Sequence, residues 1–191
     1  MNILPQRLPK AVQDSIGRTV GGLGITPNMI SLFGFFGNAL AAWFIIREEL
    51  LVAGLVYLVF SALDMVDGAV ARATGLASPF GAVFDAVLDR ASEALVLAAC
   101  GWYFADRGEQ IQAAFAYAAI FGSIAVSYMR ARAEVVGISM REGLFRRQER
   151  VALLAIGLLF NALTIVVAGL AVLANFTALQ RFWMLRRALR D

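Results

Sequence analysis

DMVDGAVARATGLASPFGAVFDAVLD, residues 64–89, is the stretch on which the reading of this chain turns. It holds four aspartates, Asp64, Asp67, Asp85 and Asp89, between strongly apolar flanks. Charge inside a bilayer is costly and is kept where it works. Asp64 and Asp67 are three apart and Asp85 and Asp89 four apart, so a helix places each pair on one face. Between the pairs, Gly75, Ser78 and Pro79 break the pattern and turn the chain. The spacing therefore predicts two antiparallel helices whose four carboxylates converge. Converging carboxylates repel unless cations neutralise them, and hard divalent ions such as Mg²⁺ take such oxygen ligands.

The flanks set the class. Of 191 residues, 60% are hydrophobic and the mean hydropathy is +0.73. A soluble domain is nearer ~45–50% apolar. A spanning helix needs about 20 apolar residues, and six such spans fit, over roughly 27–46, 50–73, 79–104, 110–129, 148–161 and 163–185. The expected fold is an all-α integral membrane protein of six transmembrane helices, residues 25–191, with no second domain. Thr26-Pro27 and Ser78-Pro79 each read as an N-cap followed by proline in the first turn, opening spans 1 and 3. Ahead of them, residues 3–19 place apolar groups at mostly four-residue spacing with Arg7, Lys10, Asp14 and Arg18 between. That pattern reads as an amphipathic helix on the membrane surface, with a glycine joint at 21–24; a frayed terminus is the plain alternative.

Arginine and lysine gather on the side that holds both termini, leaving Arg47 and Arg107 on the other. By the positive-inside bias the basic side is cytoplasmic, and the aspartates lie toward it. The expected location is thus the cell membrane, multi-pass, with the site facing the cytoplasm. The sequence contains no histidine, which excludes histidine ligands and bases, and its single cysteine, Cys100, reads as a buried small apolar group. A nucleic-acid role is not expected, because the cations lie beside the bilayer without a separate basic domain.

Around the aspartates the residues are small. Gly68 and Ala71 keep the Asp67 face low, Gly81 lies four before Asp85, and Arg72 is a cation beside the acids. Close helix packing explains such small residues; so does a ligand cradle in which Arg72 pairs a carboxylate or grips a phosphate. The spacing D-x-x-D-G-x-x-A-R-x8-G-x-x-x-D-x-x-x-D, here Asp64, Asp67, Gly68, Ala71, Arg72, Gly81, Asp85 and Asp89, resembles the signature of the CDP-alcohol phosphatidyltransferase family. The resemblance implies transfer of a phosphate-bearing group from a CDP-linked lipid to an alcohol, with release of CMP. It implies that Asp64, Asp67, Asp85 and Asp89 ligate two Mg²⁺ ions, with Mn²⁺ as a substitute. It casts Asp89 as general base. It places Asn28, Met29, Ile30, Ser31, Gly68, Arg72 and Ser78 on the CDP-linked donor.

The stretch SYMRARAE, residues 127–134, resembles the inositol-phosphate branch of that family. The resemblance assigns Ser127, Arg130, Arg150 and Arg181 to the acceptor phosphate. Glu134 and Glu149 are the acidic residues expected to wire Arg130 and Arg150. The implied substrates are CDP-diacylglycerol and myo-inositol phosphate, giving phosphatidylinositol phosphate. Glycerol 3-phosphate is the alternative acceptor, and a cation transporter the alternative of another class. By resemblance the chain is also expected to form a homodimer.

Overall fold

The computed structural model describes Thr19 and residues 24–140 and 146–190, except the side chains of Asp64 and Met65. Apart from Thr19, the expected surface helix lies outside the described residues. All regular structure within them is helical: α1 Pro27–Ile46, α2 Leu50–Ala62, α3 Asp64–Thr74, α4 Pro79–Asp106, α5 Gln110–Val135, α6 Arg147–Leu159 and α7 Leu163–Ala188.

Local chemistry starts the helices where the sequence signals. Thr26 Oγ1 accepts from the Met29 amide at 3.3 Å and Ser78 Oγ from the Gly81 amide at 3.0 Å, each with proline following. At the start of α6, the Arg146 amide donates to Glu149 Oε2 at 2.7 Å.

The expected second span is divided. Leu63 separates α2 from α3; its amide bonds the Phe60 carbonyl, and its own carbonyl accepts from the Val66 and Asp67 amides at 2.8 and 3.0 Å. This tight turn lets the acidic segment restart as a helix of its own while α2 and α3 together still make a membrane-length rod, Leu50–Thr74.

Among the described residues, four rods are long and apolar enough to cross a bilayer: Pro27–Ile46, Leu50–Thr74, Gln110–Val135 and Leu163–Ala188. α4 has the length, but Asp85, Asp89, Arg90 and Glu93 interrupt its apolar surface. α6 has only 13 residues. α5 packs on α7, and α4 lies between α1 and α5. Small residues set these distances. Phe60 occupies the space in which a side chain on Gly37 would lie, and Val166 does the same at Gly157. Tyr57, Leu97, Phe104, Leu154, Leu158 and Leu170 fill the interior. Phe33, Phe36, Trp43, Phe121 and Ile165 point outward. A water-soluble fold rarely leaves so much large apolar surface exposed; a bilayer covers it.

The two ends differ. Arg107 Nη1 meets Glu48 Oε2 at 3.0 Å, joining the α1–α2 turn to the α4–α5 turn. The acidic motif lies at the other end of α1 and α4, near their first turns.

Candidate active site at the acidic helices

α4 presents Asp85, Asp89 and Glu93 at four-residue steps, one stripe down one face. Each finds a different partner. α1 brings Ser31 against the first: Ser31 Oγ lies 2.7 Å from Asp67 Oδ2 on α3 and 3.4 Å from Asp85 Oδ1 on α4. A hydroxyl has one proton, and the shorter contact takes it. Two carboxylates from two helices therefore flank a single hydroxyl, with Asp67 buried at 4% exposure. α6 supplies partners to the other two. Arg147 Nη2 lies 3.0 Å from Asp89 Oδ1. Arg150 binds Glu93 in a fork, Nε to Oε1 at 2.5 Å and Nη2 to Oε2 at 2.9 Å, and Ser123 Oγ on α5 donates to the same Oε1 at 3.0 Å.

Of the four predicted acids, then, Asp67 and Asp85 come together around Ser31, while Asp89 meets Arg147. The side chain of Asp64 lies outside the described residues. Among those residues no three acidic groups stand close enough to form a ready metal cage.

The residues expected on the donor gather nearby. Ser78 Oγ and Asn28 Oδ1 converge over Gly81, where an added Cβ would lie 3.1 and 3.2 Å from them. Arg72 folds back over Gly68, its Nη1 3.2 Å from where a Cβ would be. The low surface at Gly68 is thus covered by Arg72 itself. Met29 is exposed and Ile30 buried.

On the acceptor side, Arg130 pairs with Glu134 at 3.0 Å. Both are more than half exposed, and such a pair contributes little. Ser127 is partly exposed beside it. Arg150 takes Glu93 as its forked partner, whereas Glu149 caps the start of α6. Arg181, 5% exposed, donates from Nη1 to the Val126 carbonyl at 2.8 Å. Its Nε is buried without a hydrogen-bond partner among the described residues. Among the described residues, Arg130, Arg150 and Arg146 bring positive charge to bear on Arg181. A basic cluster of this kind attracts an anion.

Sequence reasoning missed Glu93, although it continues the Asp85–Asp89 spacing by one more step and is an ionisable group within a span. It also missed Ser123, the Arg147–Asp89 pair and the place of Ser31 between two carboxylates.

Comparison with known proteins places these features. Residues 24–185 match the sequence profile of the CDP-alcohol phosphatidyltransferase family. An archaetidylinositol phosphate synthase of Pyrococcus horikoshii is 36% identical over 184 residues, 95% of each chain. A phosphatidylinositol phosphate synthase of Mycobacteroides abscessus is 34% identical over 72% of this chain and 64% of its own length. The crystal structure of the Mycobacterium tuberculosis phosphatidylinositol phosphate synthase with CDP-DAG bound superposes with a TM-score of 0.84 at 27% identity, covering 92% of this chain and 94% of that one. The same enzyme with manganese and citrate gives 0.80 at 29% identity, covering 91% and 88%.

Proposed function

The chain belongs to the CDP-alcohol phosphatidyltransferase family, and from that premise we propose that it transfers the phosphatidyl group of CDP-diacylglycerol to myo-inositol phosphate. Family membership makes it a transferase rather than a cation transporter. The observation that supports this acceptor is Arg181: buried, its Nε without a hydrogen-bond partner among the described residues, and under the positive charge of Arg130, Arg146 and Arg150. An alcohol that already carries a phosphate supplies the missing anion, and arginine is suited to hold it. Ser127 adds a hydroxyl at the same end of α5.

The acids fit a divalent cation. Asp67 and Asp85 present hard oxygen donors from two helices around one hydroxyl, a donor set suited to Mg²⁺ or Mn²⁺. Asp64, Asp67, Asp85 and Asp89 would hold two such ions, which when bound neutralise the donor diphosphate and the charge that builds on it. The protein's own groups do the rest. Arg72 and Ser78, with Asn28 to Ser31 and the low surface at Gly68, hold the CDP moiety. Asp89, steadied by Arg147, takes the proton of the acceptor hydroxyl, whose oxygen bonds to the lipid-bearing phosphorus. The bond from that phosphorus to CMP breaks, and CMP leaves.

In this reading α4 and α6 complete six spans over residues 25–191, and residues 1–24 form the amphipathic lead-in. The site opens to the cytoplasm by the arginine bias, and the enzyme works as a homodimer.

The test is CMP release by purified protein with CDP-diacylglycerol and Mg²⁺. Turnover with myo-inositol phosphate, and none with glycerol 3-phosphate, inositol or added EDTA, is expected. Turnover with glycerol 3-phosphate alone would overturn the acceptor assignment.

A further inference from the structure

We infer that Glu93 is a positioning residue for the acceptor: with Ser123 behind it, its carboxylate fixes Arg150 within the arginine cluster that receives the acceptor phosphate. This rests on the acceptor reading above and extends it to groups that do not touch substrate.

Arg150 and Glu93 are among the most buried charged residues described, at 2% and 5% exposure. Removing two ions from water costs more than their attraction returns unless the geometry is excellent, and apolar side chains of similar volume usually serve packing as well. Here the geometry is a complete fork, with a third bond from Ser123 holding the carboxylate. The fork sets the plane of the guanidinium and removes its rotational freedom. It also sets a negative charge beside Arg150, one of the arginines whose charge acts on Arg181. Glu93 thereby lets several arginines share one small volume before any anion arrives. Three helices contribute, α4, α5 and α6, so the clamp also fixes the start of α6 beside the acidic stripe.

The experiment measures KM for myo-inositol phosphate and for CDP-diacylglycerol separately, with thermal unfolding alongside. Glu93→Gln keeps the shape and loses the charge. It is expected to raise the acceptor KM about tenfold, the scale of one charge-assisted hydrogen bond, and to leave the donor KM unchanged. Ser123→Ala keeps both charges and is expected to move the acceptor KM about threefold in the same direction. The double variant Glu93→Met, Arg150→Met is expected to recover thermal stability while the acceptor KM stays high. Three results overturn the inference: a folded Glu93→Gln protein with unchanged acceptor KM, recovery of that KM in the double variant, or, should Glu93→Gln not fold, an unaffected Ser123→Ala enzyme. Arg150→Gln separates the two layers. If it leaves the acceptor KM unchanged, the acceptor pocket itself is misassigned; if it raises KM while Glu93→Gln does not, only the role of Glu93 falls.

Discussion

Replacing Asp85 by Asn should make the cation-free protein more stable, not less. Ser31 Oγ is 2.7 Å from Asp67 Oδ2 and 3.4 Å from Asp85 Oδ1, so those oxygens are at most about 6 Å apart. At an effective dielectric of about 20, two unit charges at that distance repel by about 2.7 kcal/mol. Asp85 is only partly buried, and solvent screening trims the gain to about 1–2 kcal/mol. Asparagine keeps the size of the side chain and one acceptor oxygen, so packing changes little. The assay is thermal unfolding in detergent, first with chelator and then with Mg²⁺ titrated in. The unsubstituted protein should gain stability with Mg²⁺, by about 2.7 kcal/mol at a hundred times its dissociation constant. Asp85→Asn should start higher and respond weakly. A variant that unfolds earlier in chelator, or that gains as much from Mg²⁺ as the parent, would refute the idea that these two carboxylates are held close for a cation.

Gly68→Ala should separate stability from activity. An alanine within α3 favours the helix by about 1 kcal/mol, but its Cβ meets Arg72 Nη1 at 3.2 Å and displaces a guanidinium assigned to the donor. A higher unfolding temperature with a raised CDP-diacylglycerol KM is expected, and an unchanged KM would remove Arg72 from that role. Gly37→Ala should act in the opposite way. Its Cβ would fall on the Phe60 ring, and overpacking of this kind costs about 1–3 kcal/mol. An unfolding temperature equal to the parent's would show that α1 and α2 are not in contact there.

The local features were legible because their causes are local. Thr26-Pro27 and Ser78-Pro79 announce α1 and α4, and the spacing of Asp85 and Asp89 announces the acidic stripe of α4. The joint at Leu63 was not legible. Neither glycine nor proline marks it, and Phe60, which packs into the Gly37 gap just before it, is placed by α1, far away in sequence. The Arg150 fork was hidden for the same reason. Glu149 is its neighbour in the chain, but Glu93, 57 residues earlier, is its neighbour in space. The ionic partners of a buried arginine follow from which helices pack together, and periodicity does not specify that.

The shortness of α6 has a topographic result. Thirteen residues give a rod of about 20 Å, against an oil layer of about 30 Å. With its Leu159 end level with one face of the oil layer, the arginine-rich beginning of this helix would stop about 10 Å short of the other face. On the acceptor reading proposed above, a phosphorylated alcohol held by those arginines would meet the lipid at the depth of its glycerol rather than at the water surface. The lipid need not be lifted from its leaflet for the two to react.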